Sequence, residues 1–325
     1  MQAAPDHHQS PCDLCTNNQW QIISQHDRHR RPLTTAICQR CGLVSHLPLP
    51  DEESIAQYYA KEYRHDYHGE ASPAPRRVMR AWRNGQRIYQ LLAPFITPQG
   101  RIFEVGAGLG CTVKQFQHHG YSAYGIEPNH DFNRYSRQQL RANITNDNLY
   151  ALNNSASKQP MQSDLVLLIH VIEHFRSPTA ALMQIRNLLN DSALLYIECP
   201  NITAPFATFN RLFHFAHIHN FSPVTLQHLA KKCGFEPIQQ LHSDDHPDIA
   251  LLLRKTALPS TTPFDGAESS RIKSAIHRYS TVGYHLRSSY LQRRITKLVD
   301  YGREQLFAEA FVQRLLNRCS EDPLP

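Results

Sequence analysis

The spacing of apolar positions changes several times along this chain of 325 residues. From residue 101 to about residue 255, short apolar runs alternate with segments of helical periodicity, which predicts a mostly parallel α/β sheet. The apolar runs place seven strands at residues 101–105, 123–126, 143–149, 164–169, 194–198, 237–241 and 249–253. The connection between the last two strands is too short for a parallel crossover, so we expect them to form an antiparallel hairpin.

Helical periodicity dominates the segments between and around these strands. The clearest helices within the sheet region are 178–189 and 223–233. Ser222 is the expected N-cap of the second helix, Pro223 its first residue and Gly234 its stop. Residues 51–95 contain a Tyr-rich and then an Arg-rich helical pattern. After the sheet, a linker at 256–270 leads to a tail with apolar residues at 272, 276, 279, 282, 286 and 290, close to the helical period.

These patterns divide the chain into four predicted regions. They are a Cys-rich segment (1–50), a helical lid or linker (51–98), the α/β domain (99–256) and a linker with a basic helical tail (257–325). The net charge is +6, but residues 269–318 hold ten Lys or Arg and three Asp or Glu and therefore carry +7. The rest of the chain is about neutral, which argues against a uniformly basic nucleic-acid-binding protein.

The chain contains neither a long apolar segment nor a leader pattern. The longest apolar run, 165–169, is far shorter than the ~20 residues of a membrane helix. The N-terminus lacks the basic and apolar regions of a signal peptide. We therefore expect a cytoplasmic protein without a transmembrane segment.

The strongest signal for a ligand lies where the first strand of the sheet ends. Glu104 is followed by three spaced glycines, Gly106, Gly108 and Gly110, in the sequence EVGAGLG. Glycines let the backbone turn sharply and let a ligand approach where a Cβ would clash. The spacing differs from the dinucleotide-binding motif G-x-G-x-x-G, because a cysteine stands at the position of its third glycine. Glu104 would repel a pyrophosphate and suits an amine-bearing ligand. Glu127, at the end of the second strand, lies where a carboxylate can bind both hydroxyls of a ribose.

At these residues the sequence resembles the class I S-adenosylmethionine-dependent methyltransferases, whose motif E/D-x-G-x-G-x-G and following acid are matched by EVGAGLG and YGIEP. The resemblance continues through SDLVLLIHVIEHF, ALLYIECPN and HNFSPVTLQHLAKKCGF. It implies a Rossmann-like methyltransferase sheet and S-adenosylmethionine as cofactor. The implied cofactor-binding residues are Glu104, Gly106, Ala107, Gly108, Gly110, Glu127, Pro128 and His170. The third-strand region is polar and offers only Asp147 as an acid for the adenine, with a turn role as the alternative.

Four cysteines near the N-terminus form two pairs with the pattern C-x2-C-x22-C-x2-C. These residues, Cys12, Cys15, Cys38 and Cys41, can supply four thiolates to a structural, tetrahedral zinc ion. The segment resembles the zinc-binding N-terminal domain that precedes certain methyltransferase domains, including those of sugar C-methyltransferases. We therefore expect a small zinc ribbon before the sheet. The remaining cysteines, at 111, 199, 233 and 319, are interpreted as packing residues.

The motif HVIEHF places His170, Glu173 and His174 just past the fourth strand, at the edge where α/β sheets bind ligands. Methyl transfer to a hydroxyl or an acidic carbon needs in-line geometry and a base. We predict that His174 is this base and that Glu173 orients it. The alternative is that both residues only cap and pack the next helix. A branch of the resembled enzymes binds a metal here but has a Glu where His170 stands, so metal-assisted chemistry is a minor alternative.

Two further groups lie on segments that face the acceptor in the resembled enzymes. His214, His217 and His219 belong to HFAHIHNFS, where His217 or His219 binds substrate or the segment is a solvated polar loop. Four tyrosines, at 58, 59, 63 and 67, lie on the Tyr-rich helical pattern. Because the resembled enzymes place a lid tyrosine over the acceptor, Tyr63 and Tyr67 are favoured, with ordinary helix aromatics as the alternative.

The sequence thus predicts an S-adenosylmethionine-dependent methyltransferase that acts on the oxygen or carbon of a small-molecule, carbohydrate-type acceptor. An RNA methyltransferase is the first alternative, because zinc ribbons also bind RNA; against it, Trp20 is the only aromatic residue of the ribbon segment. A non-catalytic cofactor-binding or assembly protein is the second. The basic tail is expected to pack on its own domain, to form a homo-oligomer through the C-terminal helices, or to bind an anionic membrane.

Overall fold

The computed structural model describes residues 11–57, 73–153, 162–204, 207–257, 263–278 and 281–322. Its strands are β1 (Trp20–His26), β2 (Pro32–Cys38), β3 (Val44–His46), β4 (Arg101–Val105), β5 (Ser122–Ile126), β6 (Ile144–Thr145), β7 (Ser163–Ile169), β8 (Leu189–Pro200), β9 (His219–Asn220), β10 (Phe235–Gln240) and β11 (Asp248–Lys255). Its helices are α1 (Glu52–Gln57), α2 (Pro75–Leu92), α3 (Cys111–His118), α4 (His130–Gln138), α5 (Pro178–Asn187), α6 (Pro223–Lys232), α7 (Ala267–Ile276), α8 (Thr281–His285) and α9 (Ser288–Cys319).

Seven strands form one sheet in the order β10-β11-β8-β7-β4-β5-β6. β4 pairs in parallel with β5 and with β7, β5 pairs in parallel with β6, and β10 and β11 are antiparallel. The central strand β4 is buried along Ile102, Phe103 and Val105 because a parallel strand is covered on both faces. The predicted fold class is confirmed: the sheet is Rossmann-like, mostly parallel and has antiparallel final strands.

The boundaries of α6 agree with the local sequence signals. Ser222 Oγ accepts a hydrogen bond from Thr225 N at 3.1 Å, and Thr225 Oγ1 accepts one from Ser222 N at 2.8 Å. This reciprocal capping box satisfies backbone donors that the first helical turn leaves unpaired. Gly234, with φ +79°, ends the helix in the left-handed region that favours glycine.

A second, antiparallel sheet has the order β1-β2-β3-β9. Its core contains Ile37 and Val44, against which Phe213, Ile272 and Ile276 pack. Ile272 and Ile276 belong to α7, so the first helix of the predicted tail is part of the hydrophobic core beneath the Cys-rich segment.

The chain forms two compact units. The first contains the described residues of Met1–Arg64, Ile169–Arg186 and Leu195–His285, and the second those of His65–Leu168, Asn187–Leu194 and Leu286–Pro325. The four-region division stays a prediction. Within the described part of the chain, no helix combines the length and the apolar character needed to cross a membrane.

In the second unit, α9 is held by two ion pairs. Arg80 binds Glu304 through both carboxylate oxygens, with Nε at 2.9 and 2.8 Å. Lys114 Nζ lies 2.8 Å from Asp322, just beyond the helix. The end of the predicted basic tail is therefore attached to the unit that contains the glycine turn.

Candidate cofactor and catalytic site

The glycine turn after β4 has a backbone that only glycine adopts readily. Gly106, Gly108 and Gly110 have φ values of +72°, +54° and +71°. The N–H groups of Gly106 and Ala107 both donate to Ile126 O at 2.9 Å, which ties the turn to β5. A Cβ on Gly110 would clash with a neighbouring side chain, whereas a Cβ on Gly108 would meet no heavy atom of the described structure within 4 Å. The turn is therefore packed at Gly110 and open at Gly108, where a ligand can approach.

Glu127 closes the turn from the end of β5. Its Oε2 accepts a hydrogen bond from Gly108 N at 2.8 Å, and its Oε1 accepts one from Asn129 N at 2.7 Å. Burial raises the pKa of Glu127, while these two backbone donors act in the opposite direction. A carboxylate has about four acceptor positions, so both oxygens retain capacity for a ligand's hydroxyl groups.

Glu104 presents an acidic oxygen without a partner beside the turn. Its side chain is buried, and Oε2 has no hydrogen-bond partner among the described residues. Burial raises the pKa of Glu104 to about 8, and the nearby charge of Glu127 adds to this rise. A buried carboxyl oxygen without a partner is unfavourable unless a ligand satisfies it. A ligand that brings an ammonium group to Glu104 and a ribose to Glu127 fits this arrangement.

Two asparagines complete the surroundings of Glu127, and sequence reasoning missed both. Asn129 caps α4, since its side chain accepts from the N–H groups of Asp131 and Phe132. Asn146 Nδ2 donates to the carbonyls of Glu127 at 2.9 Å and of Pro128 at 3.1 Å. An Asn before a helical pattern is an N-cap signal that could have identified Asn129. Asp147 is half-buried directly after Asn146, and its contact with an adenine stays a prediction.

A second cluster, in the first unit, surrounds the carboxylate of Glu173. Oε1 lies 3.7 Å from His170 Nδ1, 3.8 Å from His174 Nε2 and 3.9 Å from His217 Nε2. These distances are too long for hydrogen bonds, and neither oxygen of the buried carboxylate has a hydrogen-bond partner among the described residues. Burial raises the pKa of Glu173, but the imidazoles of His174 and His170 outweigh this effect and lower it. Glu173 is therefore an ionised carboxylate.

His174 is oriented by a backbone carbonyl. Its Nδ1 lies 2.7 Å from Ala216 O, and because a carbonyl only accepts, Nδ1 must carry the proton. In the neutral imidazole, Nε2 is then the unprotonated nitrogen and can accept a proton. Glu173 Oε1 lies 3.8 Å from the opposite nitrogen, Nε2, and its role in orienting His174 stays a prediction.

His170 adopts an uncommon backbone conformation, with φ +54° at the end of β7. Its Nε2 lies 3.6 Å from Glu198 Oε1, and Glu198 also accepts a hydrogen bond from the Tyr196 hydroxyl. Desolvation lowers the pKa of His170, but Glu173 and Glu198 outweigh it and raise the pKa to about 10. His170 is therefore a cation at neutral pH.

The histidines of HFAHIHNFS are largely buried, so the alternative of a solvated polar loop is wrong. His219 is 1% exposed and bonds Ser45 Oγ at 2.8 Å and Arg176 O at 3.1 Å, which makes it a structural residue. The ring of His217 lies 3.8 Å from that of His214 and 5.1 Å from that of His174. Burial lowers the pKa of His214 to about 3 and holds that of His217 well below its usual value. His217 is thus a neutral imidazole beside the candidate base. The tyrosines at 58, 59, 63 and 67 lie outside the described residues.

A family model described as a methyltransferase domain matches residues 74–240, just over half of the chain. The chain belongs to this methyltransferase family. The matched segment contains the glycine turn, Glu127 and the HVIEHF motif. The enzyme class predicted from the sequence, a methyltransferase, is confirmed.

Solved structures of methyltransferases resemble the fold of this methyltransferase at low identity. A 1,6-didemethyltoxoflavin-N1-methyltransferase from Burkholderia thailandensis is 17% identical, with a TM-score of 0.48 over 73% of this chain and 99% of its own. A magnesium protoporphyrin IX methyltransferase from Synechocystis is 14% identical, with a TM-score of 0.45 over 63% and 100%. A methyltransferase from Archaeoglobus fulgidus is 16% identical, with a TM-score of 0.44 over 61% and 100%. No curated protein matches the sequence.

The methyltransferase also carries a cluster of four buried cysteines. Cys12 Sγ lies 3.6 Å from Cys41 Sγ, Cys15 Sγ lies 3.5 Å from Cys38 Sγ, and all four sulfur atoms lie within 4.8 Å of one another. Sulfur ligands of a tetrahedral zinc ion with bonds of about 2.3 Å are separated by about 3.8 Å. Leu43 N donates to Cys41 Sγ at 3.5 Å, as expected for a thiolate. The donor set and its spacing fit a structural zinc ion.

Among the described residues, two other groups bring together atoms able to bind a metal in the first unit. They are Glu173 with His174 and His217, and His170 with Glu198 and Asp248. The first group is the same set of side chains that surrounds the candidate base.

Proposed function

We propose that the enzyme binds S-adenosylmethionine at the glycine turn of β4 and transfers its methyl group to an oxygen or carbon of a small-molecule, carbohydrate-type acceptor. The observation that carries the cofactor proposal is the combination of the unpartnered Glu104 Oε2, the open backbone at Gly108 and the carboxylate of Glu127. In this proposal Glu104 receives the ammonium group and Glu127 the ribose hydroxyls. Gly106, Ala107 and Gly110 shape the turn. Pro128 and His170 complete the proposed set of cofactor-binding residues.

The chemistry of the acceptor follows from His174. When bound, S-adenosylmethionine supplies an electrophilic methyl group on a sulfonium. His174 Nε2, left unprotonated by the hydrogen bond from Nδ1 to Ala216 O, takes the proton of the acceptor hydroxyl or acidic carbon. The ionised Glu173, 3.8 Å away, stabilises the imidazolium that forms. The neutral ring of His217 supports a role in positioning the acceptor.

The four-cysteine cluster supports a zinc ion held by Cys12, Cys15, Cys38 and Cys41, as in the zinc-binding domains of the sugar C-methyltransferase group. The ion would be structural, because four thiolates leave no open coordination position. None of the eight cysteines, all of which lie in the described part of the chain, forms a disulfide bond, which supports a cytoplasmic location.

Methyl transfer can be tested with a deuterium-labelled methyl donor. The full-length enzyme is incubated with the labelled donor and fractions of a cell extract, and products are detected by mass spectrometry. We expect labelled small molecules in the metabolite fraction with wild type and, over the same time, ~10²–10⁴-fold less label with His174→Ala. Label in the RNA fraction alone would refute the small-molecule proposal, and the absence of label in every fraction would refute the catalytic one.

A further inference from the structure

The helix α9 presents an apolar stripe to solvent in addition to its buried face. Within the second unit, the buried face contains Ala308, Val312, Leu315 and Cys319. The stripe consists of Leu291 (48% exposed), Ile295 (64%), Leu298 (67%), Val299 (51%) and Leu306 (77%). Exposed large apolar residues on one helix face indicate an interaction surface.

The stripe is continuous because its residues recur at helical spacing. At about 100° per residue, the five side chains fall within an arc of roughly 100° whose centre lies about 120° around the helix from the buried face. From Leu291 to Leu306 the stripe is about 22 Å long. It is long enough to contact another helix over several turns.

Gly302 lies within the arc of this stripe, one helical turn before its last residue, Leu306. A Cβ added to Gly302 would meet no heavy atom of the described structure within 4 Å. The absence of a side chain there lets a second helix approach closely. Leu298 and Leu306 stand one helical turn before and after Gly302, so a two-fold axis at Gly302 would bring Leu298 of each copy against Leu306 of the other.

The charges beside the stripe match the same symmetry. Arg294 lies about two turns before Gly302 on the flank of the stripe, and Glu309 lies about two turns after it at the C-terminal end of the stripe. A two-fold axis at Gly302 therefore places Arg294 of one copy beside Glu309 of the other.

We propose that α9 forms an antiparallel homodimer interface with a second copy of this chain, with its two-fold axis at Gly302. Leu298 and Leu306 form the apolar centre, and Arg294 pairs with Glu309 of the other copy. An anionic membrane is the competing occupant, because Arg294 and Arg303 flank the stripe. The second copy is favoured because Glu309 continues the stripe at its C-terminal end, where a lipid surface would oppose a carboxylate.

The mass of the full-length protein in solution tests the interface. Light scattering after size-exclusion chromatography should give twice the 37.3 kDa of the chain. Leu298→Glu combined with Leu306→Glu should give the monomer mass, whereas Thr296→Glu, an exposed position off the stripe, should leave the dimer intact. Circular dichroism verifies that each variant is folded. A monomeric wild type at tens of micromolar, or an unchanged mass in the double variant, would overturn the proposal.

Charge reversal and cross-linking test the antiparallel register. Arg294→Glu and Glu309→Arg should each weaken dimerisation about tenfold, and their combination should restore it. Leu298→Cys should cross-link on mild oxidation only when Leu306→Cys is also present, because the native cysteines are buried. Cross-linking of Leu298→Cys alone would contradict the antiparallel arrangement. Sedimentation of a monomeric wild type with phosphatidylglycerol vesicles, but not with phosphatidylcholine vesicles, would assign the stripe to a membrane instead.

Discussion

Glu104→Gln separates the binding role of Glu104 from its effect on stability. Burial raises the pKa of this carboxyl group from 4.5 to about 8, so it is mostly protonated in the unliganded protein at neutral pH. A ligand ammonium group favours the ionised form. Binding of S-adenosylmethionine should therefore release up to one proton from Glu104 at pH 7. The glutamine of the variant would retain the shape of the side chain but could neither ionise nor release this proton.

The magnitude follows from the pKa. One pKa unit corresponds to about 1.4 kcal/mol, so ionising Glu104 in the folded, unliganded protein costs on the order of 5 kcal/mol more than in the unfolded chain. The pKa of Glu104 is higher in the folded protein than in the unfolded chain. The contribution of Glu104 to the free energy of unfolding is therefore complete below pH 4.5 and is lost as the pH rises to about 8. Unliganded Glu104→Gln should therefore melt several degrees above wild type at pH 8.5 and close to wild type at pH 5.

Calorimetry in two buffers with different ionisation enthalpies measures the released proton directly. We expect close to one proton for wild type at pH 7 and a value near zero for Glu104→Gln. The variant should also bind about ten- to a hundredfold more weakly, because it lacks a charge-assisted hydrogen bond worth ~1.5–3 kcal/mol. Equal proton release by both proteins, together with identical melting profiles at pH 5 and 8.5, would refute the assignment of Glu104.

Two further predictions concern the other sites. Cys12→Ser should lose zinc and hydrogen-exchange protection in β1–β3 while retaining cofactor binding, because a structural zinc ion supplies folding energy. Hydrogen-exchange protection of β1–β3 in zinc-free wild type would contradict the structural role of zinc. His174→Ala should lower turnover by ~10²–10⁴ at unchanged cofactor affinity, as expected for loss of a general base. Near-normal turnover of this variant, measured with the acceptor found by the labelling experiment, would leave His174 only a packing role.

The parts of the fold that local sequence dictates could be predicted. The strand β4 and its glycine turn follow from a buried apolar run and three closely spaced glycines, and the start of α6 follows from Ser222 and Pro223. The third strand of the sheet, β6, was harder to predict because its segment is polar. It comprises only Ile144 and Thr145 within the predicted range 143–149.

The parts that depend on distant residues could not be predicted. His174 is oriented by the carbonyl of Ala216, 42 residues away, and a backbone carbonyl leaves no signature in the sequence. Ile272 and Ile37 belong to the same hydrophobic core, although the sequence assigns their segments to separate regions. In both cases tertiary structure, and not local pattern, determines the contact.

Calorimetric titration of S-adenosylmethionine into wild type and Glu127→Ala tests the central claim most directly. Wild type should bind one molecule per chain, and Glu127→Ala should bind about ten- to a hundredfold more weakly, because two ribose hydroxyls lose a charged acceptor. Glu236→Ala removes an exposed carboxylate on β10 and should bind as wild type does. Thermal denaturation verifies that both variants are folded. Absence of binding to wild type, or equal affinities for wild type and Glu127→Ala, would contradict the proposed cofactor site.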